Sequence, residues 1–168
     1  GAALGGPRPA RLMRLTVHAA AGKLPRWVAE GSADYERRLP RELKLSWRDV
    51  PLARRGADGS GAVLAEREGE RLLKGLGDDD RVIALDPAGE PWRTEDLSRH
   101  LADWQMDGRP VAFLVGGPDG LPPACRARAE RSWSLGRLTL PHALVRIVLV
   151  EQLYRAWTIL GNHPYHRG

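Results

Sequence analysis

The residues whose types and spacing bear on chemistry lie in the second half of the chain. Val115-Gly116-Gly117-Pro118-Asp119-Gly120 is a glycine-rich turn directly after the apolar run Val111 to Val115. In open parallel sheets, ligands collect beyond the carboxyl ends of the strands, where loops expose backbone groups. Glycines there permit close approach of a ligand to the main chain. The spacing matches neither the dinucleotide fingerprint nor the phosphate loop that ends in Gly-Lys-Ser/Thr, and an ordinary turn is the competing reading. A second stretch, Ser132-Trp133-Ser134-Leu135-Gly136-Arg137-Leu138-Thr139-Leu140-Pro141, sets apolar residues around a glycine. It reads as a short strand and a partly buried loop whose backbone polar groups need partners, from packing or from a ligand.

A helix is expected from Pro141 to about Leu160, with Pro141 suited to its first turn. At about 100° per residue, Glu151, Arg155 and Thr158 share one narrow face. Arg146 falls roughly opposite, among Val145, Leu149 and Val150, and His142 lies four residues before it on the same side. A cationic pair on an apolar face needs a carboxylate, a dimer surface or an anionic ligand, or else is a capping His beside a salt-bridged Arg. Apolar residues wrap most of this helix, more than one sheet face requires, which points to a second contact surface and most simply to a homodimer. The ending Asn162-His163-Pro164-Tyr165-His166-Arg167 carries groups that hydrogen-bond and stack on bases and bind phosphate. His163 and His166 have no nearby Cys or third His, so no metal site is expected.

The elements that must position these groups follow from periodicity. Strands are expected at Leu15 to Ala19, Leu43 to Val50, Arg81 to Asp86 and Val111 to Val115. Helices are expected through Trp27, Val28, Tyr35 and Leu39 up to Pro40, from about Ala62 to Lys74 ending at Gly75, and from Asp96 to Met106. Pro87 to Trp92 reads as a turn, and Arg54 to Gly61 as either a solvated basic loop or a phosphate-contacting one. Buried strands alternating with helices predict an α/β fold, a parallel sheet covered on both faces.

The chain has 168 residues, one domain's worth, and a 42% hydrophobic content that supports a folded core. Lys and Arg number 26 against 21 Asp and Glu, and the resulting +5 favours a polyanionic partner without requiring one. Cys125 is the single cysteine, which excludes an intrachain disulfide and suits a reducing, cytoplasmic setting; it reads as a packed structural thiol. The most apolar stretch, Ala143 to Leu160, is broken by Arg146, Glu151 and Arg155, so no membrane span is expected. The opening GAALGGPRPARL lacks the apolar core of a secretory signal. Residues 1–12 read as an extension, and 13–168 as the single domain.

Taken together, GGPDGL, SWSLGRLTLPHALVR, EQLYRAW and NHPYHR resemble the ribosomal large-subunit (23S) RNA pseudouridine N3-methyltransferase family of the SPOUT class. Trp27, Tyr35-Glu36-Arg37-Arg38, Glu68-Gly69-Glu70 and Leu85-Asp86 fit in order, so the likeness runs from Met13 to Arg167. One departure is His18-Ala19-Ala20-Ala21-Gly22-Lys23, where the family usually places a glycine turn. The resemblance implies a deep C-terminal trefoil knot and a homodimer that uses S-adenosylmethionine to methylate a pseudouridine of an intersubunit-bridge stem-loop in 23S rRNA on the assembled ribosome. By similarity, Leu85, Gly116, Gly117 and the run Leu135, Gly136, Arg137, Leu138, Thr139 and Leu140 bind the cofactor. His142 and Arg146 are then the candidates for the environment of the reacting nitrogen. Tyr165, His166 and Arg167 are candidates acting in trans, the tail of one subunit completing the site of the other. The alternative is a non-catalytic ribosome- or RNA-binding module of the same fold, which needs no pocket between the glycine turn and residues 135–140.

Overall fold

Strand Val111–Val115 shows how the sequence builds the sheet: all five residues are buried. Val111, Phe113 and Val115 face one apolar cluster while Ala112 and Leu114 face another. A strand with no solvent face must lie inside a sheet covered on both sides, which explains its unbroken apolar run. The computed structural model describes residues 12–56, 59–161 and Tyr165. In chain order the elements are β1 (Met13–Ala20), α1 (Arg26–Glu36), β2 (Leu43–Val50), α2 (Gly61–Lys74), β3 (Arg81–Pro91), α3 (Thr94–Asp107), β4 (Val111–Val115), α4 (Pro123–Arg128), β5 (Arg131–Ser134) and α5 (His142–Leu160).

The five strands pair in the order β2-β1-β4-β3-β5, and every pairing is parallel. Helices α1 and α3 both pack on α5. Leu97, Leu101 and Trp104 of α3 join Leu149, Leu153 and Ala156 of α5 in the larger core cluster. The other face holds α2 and α4, whose Leu72 and Cys125 close the second cluster. The expected α/β architecture, a parallel sheet with helices on both faces, is the one observed.

Local signals set the helix ends. Ser60 accepts the Val63 amide at 3.3 Å as the cap of α2, and Arg71 and Lys74 sit in its last turn, where cations suit the helix dipole. Helix α3 stops at Gly108, whose φ of 79° is a left-handed cap.

Several boundaries differ from the expectation. Helix α1 ends at Glu36 rather than Pro40, and Trp27 is exposed while Val28 is buried. Pro141 is the cap of α5, just outside its first turn. The segment from Pro87 is not a turn: β3 continues to Pro91, and Leu85 and Glu90 both pair with Trp133 across a bulge. A side chain on Gly89 would come within 2.6 Å of the Ser132 carbonyl. Helix α4 had no counterpart in the sequence reading; at six residues it is too short to show a helical period.

Candidate functional site

The loops after β4 and β5 meet the middle of β3, at Leu85 to Pro87, around one cavity. After Val115 the chain folds tightly back: the Gly120 amide bonds to the Gly117 carbonyl at 3.0 Å, and Gly120 takes a φ of 79°. After β5, Gly136 has a φ of 136°, a conformation that side chains beyond glycine rarely adopt. The Ser134 hydroxyl accepts the Gly136 amide at 3.2 Å and so holds this second bend. The enclosed volume is about 370 Å³, at the lower end of what small-molecule sites occupy.

Leu85, Gly116 and Gly117 line this cavity, as do Leu135, Gly136, Leu138, Thr139 and Leu140. Arg137 does not, although both its neighbours do; it is exposed. Asp86, Asp119, Arg126 and Trp133 also line it and were not singled out from the sequence. Among the described residues Arg126 is the only arginine on the wall, 3.7 Å from Asp86. The described wall therefore offers two carboxylates, one paired guanidinium and no lysine.

His142, the first residue of α5, reaches the cavity. Burial pushes its pKa below the ordinary imidazole value and the charge of Arg146 adds to this, while a hydrogen bond to the Gly116 backbone and the carboxylates of Asp49 and Glu68 pull the other way. Its Nε2 is buried without a partner. Arg146, one turn on, does not line the cavity. It is 4% exposed, donates to Asp49 Oδ1 at 2.6 Å and lies 4.1 Å over the Trp47 ring. Of the partners left open for the cationic pair, the structure supplies the carboxylate.

Tyr165 is three turns away along α5. It donates to Glu151 Oε1 at 3.2 Å, packs edge-on against Tyr154 and lies under the Arg155 guanidinium. A single chain thus does not bring Tyr165 to the cavity. His166 and Arg167 lie outside the described residues, as do His163, residues 1–11 and positions 57 and 58 of the basic loop. Among the described residues no group of three His, Cys, Asp or Glu side chains gathers as a metal site would need, and no helix is long and apolar enough to cross a membrane.

The sequence reading passed over Glu68 as a site residue. It follows Leu64 by four positions and precedes Leu72 by four, so it sits on the apolar stripe of α2, and that spacing was the available signal. It is 1% exposed.

Comparison with known proteins bears on this geometry. A family model described as "Predicted SPOUT methyltransferase" matches residues 13–166. The chain is 51% identical over 155 residues to ribosomal RNA large subunit methyltransferase H of Hahella chejuensis, covering 92% of this chain and 99% of that protein. It is 46% identical over 155 residues to the protein of the same name from Marinomonas sp. (strain MWYL1), covering 92% and 100%. Among solved structures, the SpoU methyltransferase AviRb from Streptomyces viridochromogenes in complex with AdoMet aligns at 15% identity and a TM-score of 0.44, over 89% of this chain and 59% of that one.

Proposed function

Because the chain belongs to the SPOUT methyltransferases, and among them to the family of ribosomal RNA large subunit methyltransferase H, we propose that it methylates N3 of a pseudouridine in 23S rRNA. Its activity is methylation of ribosomal RNA; the pseudouridine, its nitrogen and the assembled ribosome as substrate are the finer reading. The donor is S-adenosylmethionine. A ribosomal substrate and an unpaired buried Cys125 suit a cytoplasmic enzyme.

The carrying observation is the charge of the cavity wall. Asp86 and Asp119 line it, Arg126 is already engaged by Asp86, and no lysine stands among the described residues of the wall. Such a donor set suits a cationic ligand bearing hydroxyl groups and an ammonium, and does not suit a nucleotide phosphate. Leu85, Leu138, Leu140 and Val145 give it an apolar side that accepts a base, while Gly116, Gly117 and Gly136 leave backbone groups within reach. When bound, S-adenosylmethionine supplies a methyl group on a positively charged sulfur.

The chain's own residues do the rest. An imide nitrogen is a poor nucleophile while protonated, so the site must take its proton or stabilise the anion. Burial favours the neutral form of His142 and its buried Nε2 has no hydrogen-bond partner, which suits a proton acceptor. Arg146 is fixed by Asp49 and Trp47, and its positive field beside His142 favours the deprotonated imide. Tyr165, His166 and Arg167 complete the partner's site in a homodimer. The threading of α5 into a knot belongs to the same reading. In its support, β5 lies at one edge of the sheet while α5 returns to pack on α1 and α3.

Calorimetry with S-adenosylmethionine, followed by methyl transfer to ribosomes lacking the modification, tests the reading. Binding and transfer are expected. A well-folded dimer that does neither is a binding module instead.

A further inference from the structure

Glu68 is a charged side chain in a place where the fold needs none. Leu64, Ala65 and Leu72 surround it on the buried face of α2, and burying a carboxylate is costly unless both oxygens are partnered. Only one is. Oε2 accepts the Ala53 amide at 2.8 Å and lies 3.7 Å from Arg55 Nη1. Oε1 has no partner and is shielded from solvent. It is directed at Gly117, where an added Cβ would come within 2.7 Å of it. Gly117 does not have a positive φ, so it is glycine for space, and it lines the cavity while the carboxylate packed against it does not.

Arg55 is shared. Its other nitrogen bonds Asp119 Oδ2 at 2.8 Å, leaving two carboxylates against one guanidinium and a net negative charge behind the glycine turn. Asp86 and Asp119 are themselves partly wet, with side chains 13% and 28% exposed, and solvent screens them. Glu68 is dry, so its field reaches further into the cavity.

We infer that Glu68 is a specificity-determining residue that makes the cavity prefer a cationic sulfonium ligand over the corresponding neutral thioether. This rests on the donor reading above. Transfer of the methyl group discharges the sulfur and leaves S-adenosylhomocysteine, which keeps every other recognition group of the donor. The carboxylate then favours the fresh donor and lets the spent one go.

The test compares calorimetric affinities for S-adenosylmethionine and S-adenosylhomocysteine, a readout independent of turnover. Glu68→Gln keeps the shape and an acceptor for Ala53. It is expected to weaken S-adenosylmethionine about tenfold and leave S-adenosylhomocysteine within about twofold. Arg55→Ala, at an exposed position, removes the counter-cation and should move the preference the opposite way, by about threefold. Equal weakening of both ligands in Glu68→Gln makes the carboxylate merely structural and overturns the inference. So does an unchanged preference in Arg55→Ala, which decides alone if Glu68→Gln does not fold. Failure of the wild type to bind either ligand removes the donor reading itself, and the inference with it.

Discussion

Arg146 and Asp49, 97 residues apart in sequence, meet at 2.6 Å, with the guanidinium side chain 5% exposed and the carboxylate side chain 41% exposed. The pair is therefore lopsided, and its two halves should respond differently to mutation. Asp49→Ala strands a buried cation and is expected to cost about 2 kcal/mol, less than for a fully buried pair because the carboxylate side is wet. Arg146→Met leaves a carboxylate that water can solvate and should cost about 1 kcal/mol or less. Urea denaturation of the two variants checks the order, and equal costs would contradict it. Arg146→Met should also lower methyl transfer more than it lowers donor affinity, since the residue does not line the cavity.

The histidines give a pH dependence of definite sign. His142, His18 and His100 all have pKa values pushed below the ordinary imidazole value, in each case chiefly by burial. Arg146, Arg48 and Arg131 respectively reinforce the shift, and nearby carboxylates oppose it in each. The unfolded chain therefore binds more protons than the native one below about pH 6.5. Native stability should be fully present above that pH and decline as pH falls through it. Denaturation at pH 7.5 and pH 5.5 measures this, and a native state as stable at the lower pH would contradict it. NMR titration of His142 should show its pKa rising in Arg146→Met, because a repelling cation has gone.

Glycine to alanine inside a helix ordinarily stabilises by about 1 kcal/mol. At Gly69 the sign should reverse. An added Cβ would lie 2.3 Å from Cγ of Pro122 and 3.1 Å from Sγ of Cys125, and a proline ring cannot swing aside. Overpacking of this kind costs about 1–3 kcal/mol, so Gly69→Ala is expected to lower the melting temperature, and a rise would show that α2 and α4 are not so closely apposed.

Leu144 is 36% exposed near the start of α5, on the side it shares with Glu151 and Arg155. If it meets a second copy of the chain, Leu144→Glu should shift the protein from dimer to monomer in sedimentation while leaving its circular dichroism unchanged. A wild-type monomer would remove the trans-acting role given to Tyr165.

Much of this arrangement was legible in the sequence, and the parts that were not have physical reasons. The buried strands β3 and β4 announce themselves by the unbroken apolar runs Val82 to Leu85 and Val111 to Val115, and the glycine turn and residues of the 135–140 run do line one cavity. Pro87 and Gly89 mimic a turn, yet the chain there stays in the sheet, because β5 pairs on both sides of a bulge that no local signal marks. Asp49 falls within the expected strand Leu43 to Val50, but its partner Arg146 lies 97 residues along the chain, and spacing does not reveal such contacts. Arg137 shows the opposite limit. The family resemblance includes it in the cofactor stretch from Leu135 to Leu140, while its exposed side chain is not on the cavity wall.

The central claim is tested most directly by the product. Ribosomal RNA from ribosomes incubated with the protein and S-adenosylmethionine should be digested to nucleosides and analysed by mass spectrometry. One new species is expected, pseudouridine carrying a methyl group on the base nitrogen between its two carbonyls, and it should map to 23S rRNA. A methyl group on another nucleoside would contradict the account of the target. No methylated product from active, donor-binding protein would contradict the account of the reaction.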